Sequence, residues 1–384
     1  MDFIIRKVSE SLKSRRDRVV LHTLCRESYA TRPKITNLDT VEIKSHEHAR
    51  SFRSWLIHHG KDVKTLDLVF NANEATLLGV LCTLDKLESL TFSTSSTIDP
   101  FFINSMTSLH TLSLECMSLA SPSWSRIPPS LHTFELLCKS SLRLAPEFGD
   151  HFPNLKTLSI ASRSALNATC YPPSVTSLTL DGNMTCLEPI EALATLTELQ
   201  RLKISYGRLA FAPDELELLT KLTHLDLSHN SMQSYDNVGY HYDDVLESIS
   251  HLPRLKYLDL SHNEMDNATF EELRGSSLST LEYLDISHNS KKADVLPTDG
   301  CLYLNTLKFL RTSFIPSNDF FQKARQLEEF TYCCGNSLGM DTTLSFVSMS
   351  IRPKKIKLET SSIPSHHIQP LLQLMAQSYH QVHV

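Results

Sequence analysis

Leu222-Thr-His-Leu225-Asp-Leu227-Ser-His-Asn230 returns as Leu255-Lys-Tyr-Leu258-Asp-Leu260-Ser-His-Asn263 and again as Leu281-Glu-Tyr-Leu284-Asp-Ile286-Ser-His-Asn289. The shared form is Leu-x-x-Leu-x-Leu-x-x-Asn. Leu225 and Leu227 stand two apart, so on a strand both point the same way, into a core. Asp226, Ser228 and the residue before Leu225 are then expected to face solvent. One such copy buries almost nothing, so the unit makes sense only when stacked on others like it.

Outward from these three copies, the same aliphatic pairing can be followed along the chain. A weak first rung is Leu38-x-x-Val41-x-Ile43. Then come Leu66/Leu68, Leu90/Phe92, Leu112/Leu114, Phe134/Leu136, Leu158/Ile160, Leu178/Leu180 and Leu202/Ile204. Past the three strong copies follow Leu307/Phe309, Phe330/Tyr332 and Ile356/Leu358. The spacing is roughly 20–26 residues, and the pattern resembles the strand signature of leucine-rich repeats. That resemblance implies an α/β solenoid, a horseshoe of about fourteen coils, with a parallel sheet on the concave side and short helices or irregular turns outside. The Asn position is filled at Asn71, Asn183, Asn230, Asn263 and Asn289. A buried Asn can both donate to and accept from the backbone of adjoining turns, so these coils are expected to be the most regular. Ser51–His59 reads as the outer helix of the first full coil, with Trp55 and Leu56 turned inward and Gly60 ending it.

A chain of 384 residues would ordinarily suggest two or three domains, but a solenoid grows in one dimension and needs no central core. Hydrophobic content of 41% and charged content of 21% are those of an ordinary folded protein. A net charge of −6 argues against general nucleic-acid affinity, which rests on clustered basic residues. The nine cysteines show no Cys-x-x-Cys pair and no zinc-ligand spacing, so neither a disulfide framework nor a metal centre is expected. The first residues turn charged too soon for a signal-peptide core, and no apolar run is long enough to span a membrane. The expected compartment is the cytoplasm with its thiols reduced, and the basic turn Lys13–Arg18 leaves the nucleus as the alternative.

The N-terminal 34 residues carry a second resemblance. Asp2–Leu12 is amphipathic, with Phe3, Ile4, Ile5, Val8 and Leu12 on one side; a basic turn follows, and Val19–Tyr29 reads as a second helix with Leu24 and Cys25. The pair resembles an F-box, although the usual opening Leu-Pro is missing and Ser28 stands where a bulky aromatic is common. By that resemblance Phe3, Ile4, Ile5, Val8, Leu12, Leu24 and Cys25 would contact the Skp-type adaptor of a cullin-RING ubiquitin ligase. The F-box/leucine-rich-repeat likeness then implies the substrate-recognition subunit of an SCF-type ligase, non-catalytic, with a protein substrate on the repeats. A leucine-rich-repeat scaffold with no ubiquitin role is the alternative. The expected segments are 1–34 for the F-box-like helices, 35–362 for the solenoid and 363–384 for a C-terminal cap, with Pro370–Tyr379 helical.

Stacking the three strong copies lines up like residues on the concave face. His224, Tyr257 and Tyr283 form one column; Asp226, Asp259 and Asp285 a second; Ser228, Ser261 and Ser287 a third; His229, His262 and His288 a fourth. Arg201, Lys203 and Tyr206 precede this centre, and Lys308 and Arg311 follow it, so an acidic middle with basic edges is expected to suit a partner of complementary charge. Three histidines one strand apart invite a metal reading, but repeat register alone explains their alignment, and no metal or other cofactor is expected. The step from Leu225 to Leu258 is about ten residues longer than its neighbours; the surplus, with Tyr235, Tyr240 and Tyr242, is read as a surface loop near the binding face. No phosphate loop, dinucleotide fingerprint, zinc helix or nucleophile elbow occurs, and ten glycines leave little for nucleotide-cradling loops.

Overall fold

A computed structural model describes residues 36–70, 79, 81–120, 128–144, 146–168, 170–184, 188–210, 212–232, 246–265, 278–289, 305–314, 318–334, 354–360 and 382–383. The F-box-like segment 1–34, the loop bearing Tyr235, Tyr240 and Tyr242, and the expected helix at 370–379 lie outside the described residues. The chain divides into two compact units, Met1–Val175 and Thr176–Val384.

In the first unit the strands are β1 (Asn37–Ile43), β2 (Thr65–Phe70), β3 (Ser89–Thr94), β4 (Thr97–Ile98), β5 (Thr111–Cys116), β6 (Ser118–Leu119), β7 (Thr133–Cys138), β8 (Leu142–Leu144) and β9 (Thr157–Ala168). Strands β1, β2, β3, β5, β7 and β9 are parallel neighbours in that order. Each inward pair takes the register that the aliphatic spacing dictates: Leu66, Leu90, Leu112, Phe134 and Leu158 lie side by side, and Leu68, Phe92, Leu114, Leu136 and Ile160 form the next row. All ten are 2% exposed or less. Full burial of such a side chain stabilises by roughly 1.5–3 kcal/mol, so stacking supplies what one coil cannot.

The first rung differs from its expected register. Leu38 pairs with Leu66 and Val41 with Leu68, and an irregularity between them leaves Ile43 opposite Phe70. Leu38 and Ile43 are buried while Val41 stays half-exposed, so the central pair is Leu38 with Val41 and a bulge lies within it. The outer helix α1 (His46–His59) also starts earlier than Ser51, because the Ser45 hydroxyl caps it by accepting from the His48 amide at 3.3 Å. Leu56 and Ala49 form its buried face. Trp55 is only half-buried; it stacks on Phe52 and meets the His59 ring at a tilt. Gly60 has an ordinary helical φ of −72°; its role is close approach, since a Cβ there would stand 2.7 Å from the Leu84 side chain. Farther along, Phe148 and Phe152 fill the core beside Phe134 at ring separations of 4.7–6.4 Å.

The second unit continues with β10 (Ser177–Met184), β11 (Arg201–Ser205), β12 (His224–Asp226), β13 (Tyr257–Asp259), β14 (Tyr283–Ile286), β15 (Phe309–Thr312), β16 (Glu329–Cys334), β17 (Lys355–Thr360) and β18 (Val382–His383). They form a parallel series in sequence order. Val382–His383, within the segment expected as a helical cap, is thus a short strand on β17. One rung is shifted from its expected position. Leu284 pairs with Leu310, not Leu307, and Ile286 with Thr312. Leu307 is buried as the counterpart of Leu281, while Phe309 points outward and is 38% exposed. A Thr at the second inward position hid the true pair, because Leu307 and Phe309 also stand two residues apart.

Behind these strands runs an asparagine ladder. The Asn230 side chain donates to the carbonyls of Ile204 and Leu227, both at 2.8 Å, and accepts from the Gly207 amide at 2.9 Å. Asn263 donates to Leu227 and Leu260 and accepts from the Asn230 amide; Asn289 donates to Leu260 and Ile286 and accepts from the Asn263 amide at 2.8 Å. Each Asn thereby joins its own coil to the one before. The ladder ends at Ser313, whose hydroxyl accepts from the Asn289 amide.

Candidate functional site

The strong copies put four kinds of residue on or beside the outward face of β11–β15. Along the first row, Arg201 pairs in register with His224, then Tyr257, Tyr283 and Phe309. The rings form a ladder: His224 to Tyr257 at 5.7 Å, Tyr257 to Tyr283 at 4.3 Å and nearly parallel, and Tyr283 to Phe309 at 6.5 Å and tilted. Phe309 was hidden from sequence reading by the register error at its rung. Burial, followed by the charges of Asp285 and Asp259, pushes the Tyr283 phenol up to about 12, so it stays neutral.

The second row runs Lys203, Asp226, Asp259, Asp285, Arg311 in register. In each aspartate Oδ1 is occupied locally, accepting from the amide and hydroxyl of the serine two residues on: Ser228, Ser261 and Ser287, at 2.6–3.0 Å. The expected serine column is therefore no solvent-facing surface. These serines are 5% exposed or less, drawn in by bonds to the aspartates. Asp285 is likewise buried at 1% instead of facing solvent.

The second carboxylate oxygens differ in their partners. Oδ2 of Asp226 takes Lys203 Nζ at 2.6 Å, and Oδ2 of Asp285 takes Arg311 Nη1 at 3.4 Å. Arg311 also bonds Glu359, a contact from a distant strand that local pattern could not reveal. Asp259 has no cation among the described residues. Burial, followed by the charge of Asp285, raises its carboxyl to about 6. Lys308 stands one residue before β15 on the rim, paired with Glu282 at 2.7 Å and not directed to the acidic row.

The third feature follows from the backbone. His229, His262 and His288 have φ of 55–57°, the left-handed region, as does Tyr206 at 56°. The kink turns the following residue, Asn in the three copies, into the core and swings these rings outward. Tyr206 stacks on His229 at 4.8 Å, His229 on His262 at 4.2 Å and His262 on His288 at 4.3 Å, the histidine planes within 11–12°. Rings stacked face to face do not converge their nitrogens on one point, and among the described residues no group of three or more His, Cys, Asp or Glu is placed to hold a metal ion. Burial, followed by the flanking His288 and His229, lowers His262 to about 4; His224 is lowered too, by burial and then by Arg201. Both are neutral at physiological pH.

Two aromatic ladders thus flank an acidic row closed at its ends by Lys203 and Arg311. The first unit's outward rows are unlike this: Thr65, Ser89, Thr111, Thr133 and Thr157 in one, Asp67, Thr91, Ser113, Glu135 and Ser159 in the other. Among the described residues no helix is long and apolar enough to cross a membrane.

No family model matches the sequence, and no curated protein matches it. Among solved structures the chain is similar to TLR13 in its ssRNA13 complex, at 16% identity and a TM-score of 0.50, over 90% of this chain and 61% of that one. It is also similar to an internalin of Listeria monocytogenes, at 13% identity and a TM-score of 0.46 over 84% of this chain and 80% of the other. A leucine-rich-repeat protein of Leptospira interrogans gives 17% and 0.43 over 84% and 90%. At these identities the likeness is one of fold. The parallel strands, the Leu-x-x-Leu-x-Leu rungs and the asparagine ladder make the fold a leucine-rich-repeat solenoid.

Proposed function

We propose that this chain is a non-catalytic protein-docking module that holds its partner on the outward face of β11–β15. The observation that carries the reading is the pair of aromatic ladders on coils fixed by the asparagine ladder. Large flat rings on a preformed backbone lose little entropy on contact, and aromatic anchors dominate binding energy at interfaces. Within this reading the F-box-like residues 1–34 make the chain the substrate-recognition subunit of an SCF-type ubiquitin ligase. The support for that step is the sequence resemblance at Phe3, Ile4, Ile5, Val8, Leu12, Leu24 and Cys25. The chain would then work in the cytoplasm or nucleus, bringing a protein substrate to a ubiquitin-loaded enzyme held elsewhere, and supplying proximity instead of chemistry.

Co-purification tests both parts. The full chain is expected to bring down a Skp-type adaptor and cullin, and a chain starting at Pro33 to lose them while keeping substrate. Tyr257→Ala with Tyr283→Ala is expected to do the reverse. Adaptor lost by neither form, or bound by neither, leaves the scaffold reading; a face variant that keeps every partner removes the docking reading.

A further inference from the structure

The three aspartates are equivalent in sequence and in their serine bonds, yet their surroundings differ. Asp226 and Asp285 each spend Oδ2 on a cation of this chain, Lys203 and Arg311. Asp259, between them, has no such partner among the described residues, and it stands on the strand whose neighbours contribute the closest rings of both ladders. On one side lie the rings of Tyr257 and Tyr283, 4.3 Å from each other, and on the other those of His229 and His262, 4.2 Å from each other. The nearby phenol of Tyr283 and the imidazole of His262 are neutral at physiological pH, so neither of these two rings offsets the central carboxylate.

We infer that this face takes a segment of a partner protein bearing a single arginine, with its guanidinium laid on Asp259 between the two aromatic ladders. The inference rests on the docking reading above and names the chemistry that the face selects. A guanidinium is planar and stacks on aromatic faces, where an ammonium is a compact, strongly hydrated point. It also carries donors that suit the free Oδ2, a charge-assisted bond stronger than a neutral one. Lys203 and Arg311 close the row at either end, so the open position is a single one; a run of cations would meet like charge beyond it. An acidic segment would face three carboxylates, and a purely apolar one would strand Asp259 without water or partner.

Fluorescence anisotropy with the full chain tests this, using fluorescein-labelled short Gly/Ser peptides identical except for one central residue: arginine, citrulline, lysine or glutamate. Citrulline keeps the shape of arginine and removes its charge. The arginine peptide is expected to bind at least tenfold more tightly than the citrulline peptide, lysine to fall between, and glutamate to show no binding. Asp259→Asn is expected to weaken the arginine peptide at least tenfold. The variant keeps an oxygen that can accept from Ser261, so its circular dichroism and urea midpoint verify the fold independently. Equal binding of arginine and citrulline, binding of none, or an unchanged arginine affinity in Asp259→Asn overturns the inference. Should that happen while Tyr257→Ala with Tyr283→Ala still sheds cellular partners, only the ligand class falls; if that variant keeps them all, the docking reading falls with it.

Discussion

Replacing Asp259 with asparagine should make the free protein more stable, with a gain that begins above about pH 4 and is complete above about pH 6. Asp259 faces Asp226 and Asp285 on adjoining strands and the rings of Tyr257 and Tyr283, while Lys203 and Arg311 are committed to the outer two carboxylates. Its carboxyl is raised from an ordinary 3.8 to about 6, by burial first and by Asp285 next. The sign follows. Between these values the folded chain binds more proton than the unfolded one, so stability falls as pH rises from about 4 to about 6. Roughly two pH units correspond to a ceiling of about 3 kcal/mol. Partial solvent access and sharing of the proton with Asp285 bring the expected cost to about 1–2 kcal/mol. Asparagine keeps the acceptor that the Ser261 amide and hydroxyl use, and never ionises. Urea unfolding at pH 4 and pH 8, on wild type and Asp259→Asn, checks this: the variant should gain about 1–2 kcal/mol relative to wild type on going from pH 4 to pH 8. A variant equal to wild type at both, or less stable at pH 8 than at pH 4 relative to it, would refute the placement of an unpaired, half-buried carboxylate there.

Asn263→Ala should cost about 2–4 kcal/mol: it orphans the buried Asn230 amide at about 1–3 kcal/mol and takes one of two donors from the Leu227 and Leu260 carbonyls, which keep Asn230 and Asn289, at about 0.5 kcal/mol each; Asn154→Ala, which loses one exposed bond to Pro129, should cost under about 1 kcal/mol by the same urea titration. His262→Gly should leave stability within about 1 kcal/mol of wild type, since glycine accepts the positive φ freely, whereas His262→Val should cost about 1–3 kcal/mol more for its branched side chain in the left-handed region. Cys116 and Cys138, buried neighbours with Sγ atoms 3.6 Å apart, should react with a thiol reagent only as the first unit unfolds; prompt labelling of either in the native chain would contradict their burial.

Where the residues repeat, the fold was legible. The paired aliphatics give register directly, because a shift by one residue turns every inward side chain outward. Legibility failed at Leu38–Ile43, where a bulge breaks the period of two, and at Leu307–Phe309, where Thr312 occupies an inward position. The face was half legible. Identical spacing in the three copies aligned the aspartates and rings, yet the burial of Ser228, Ser261 and Ser287 depends on hydrogen bonds to the aspartates that hydropathy does not register. Glu359, which completes the Arg311 pair, lies 48 residues away, and only the stacked coils bring the two together.

Repetition has an energetic consequence that helps explain why the face sits where it does. Copying one strand sequence at adjacent positions places each charge beside its own kind, so an acidic row destabilises itself. The chain relieves this at the ends, with Lys203 and Arg311, and leaves the centre unrelieved. The histidine ladder is held under a related constraint: protonating one stacked imidazole places a cation against its neighbours, and burial first, then His288 and His229, push His262 down to about 4. Each of these costs opposes folding, and left-handed φ at three histidines adds to them. The same turns carry Asn230, Asn263 and Asn289 into the core, where each one's hydrogen bonds are worth more than the strain beside it. The strained, like-charged side of each turn and the stabilising side are therefore made by adjacent residues of one Ser-His-Asn sequence. A coil that gave up the asparagine would lose the support that lets its face remain unsatisfied, and that is why the candidate site coincides with the most regular coils instead of the loops between them.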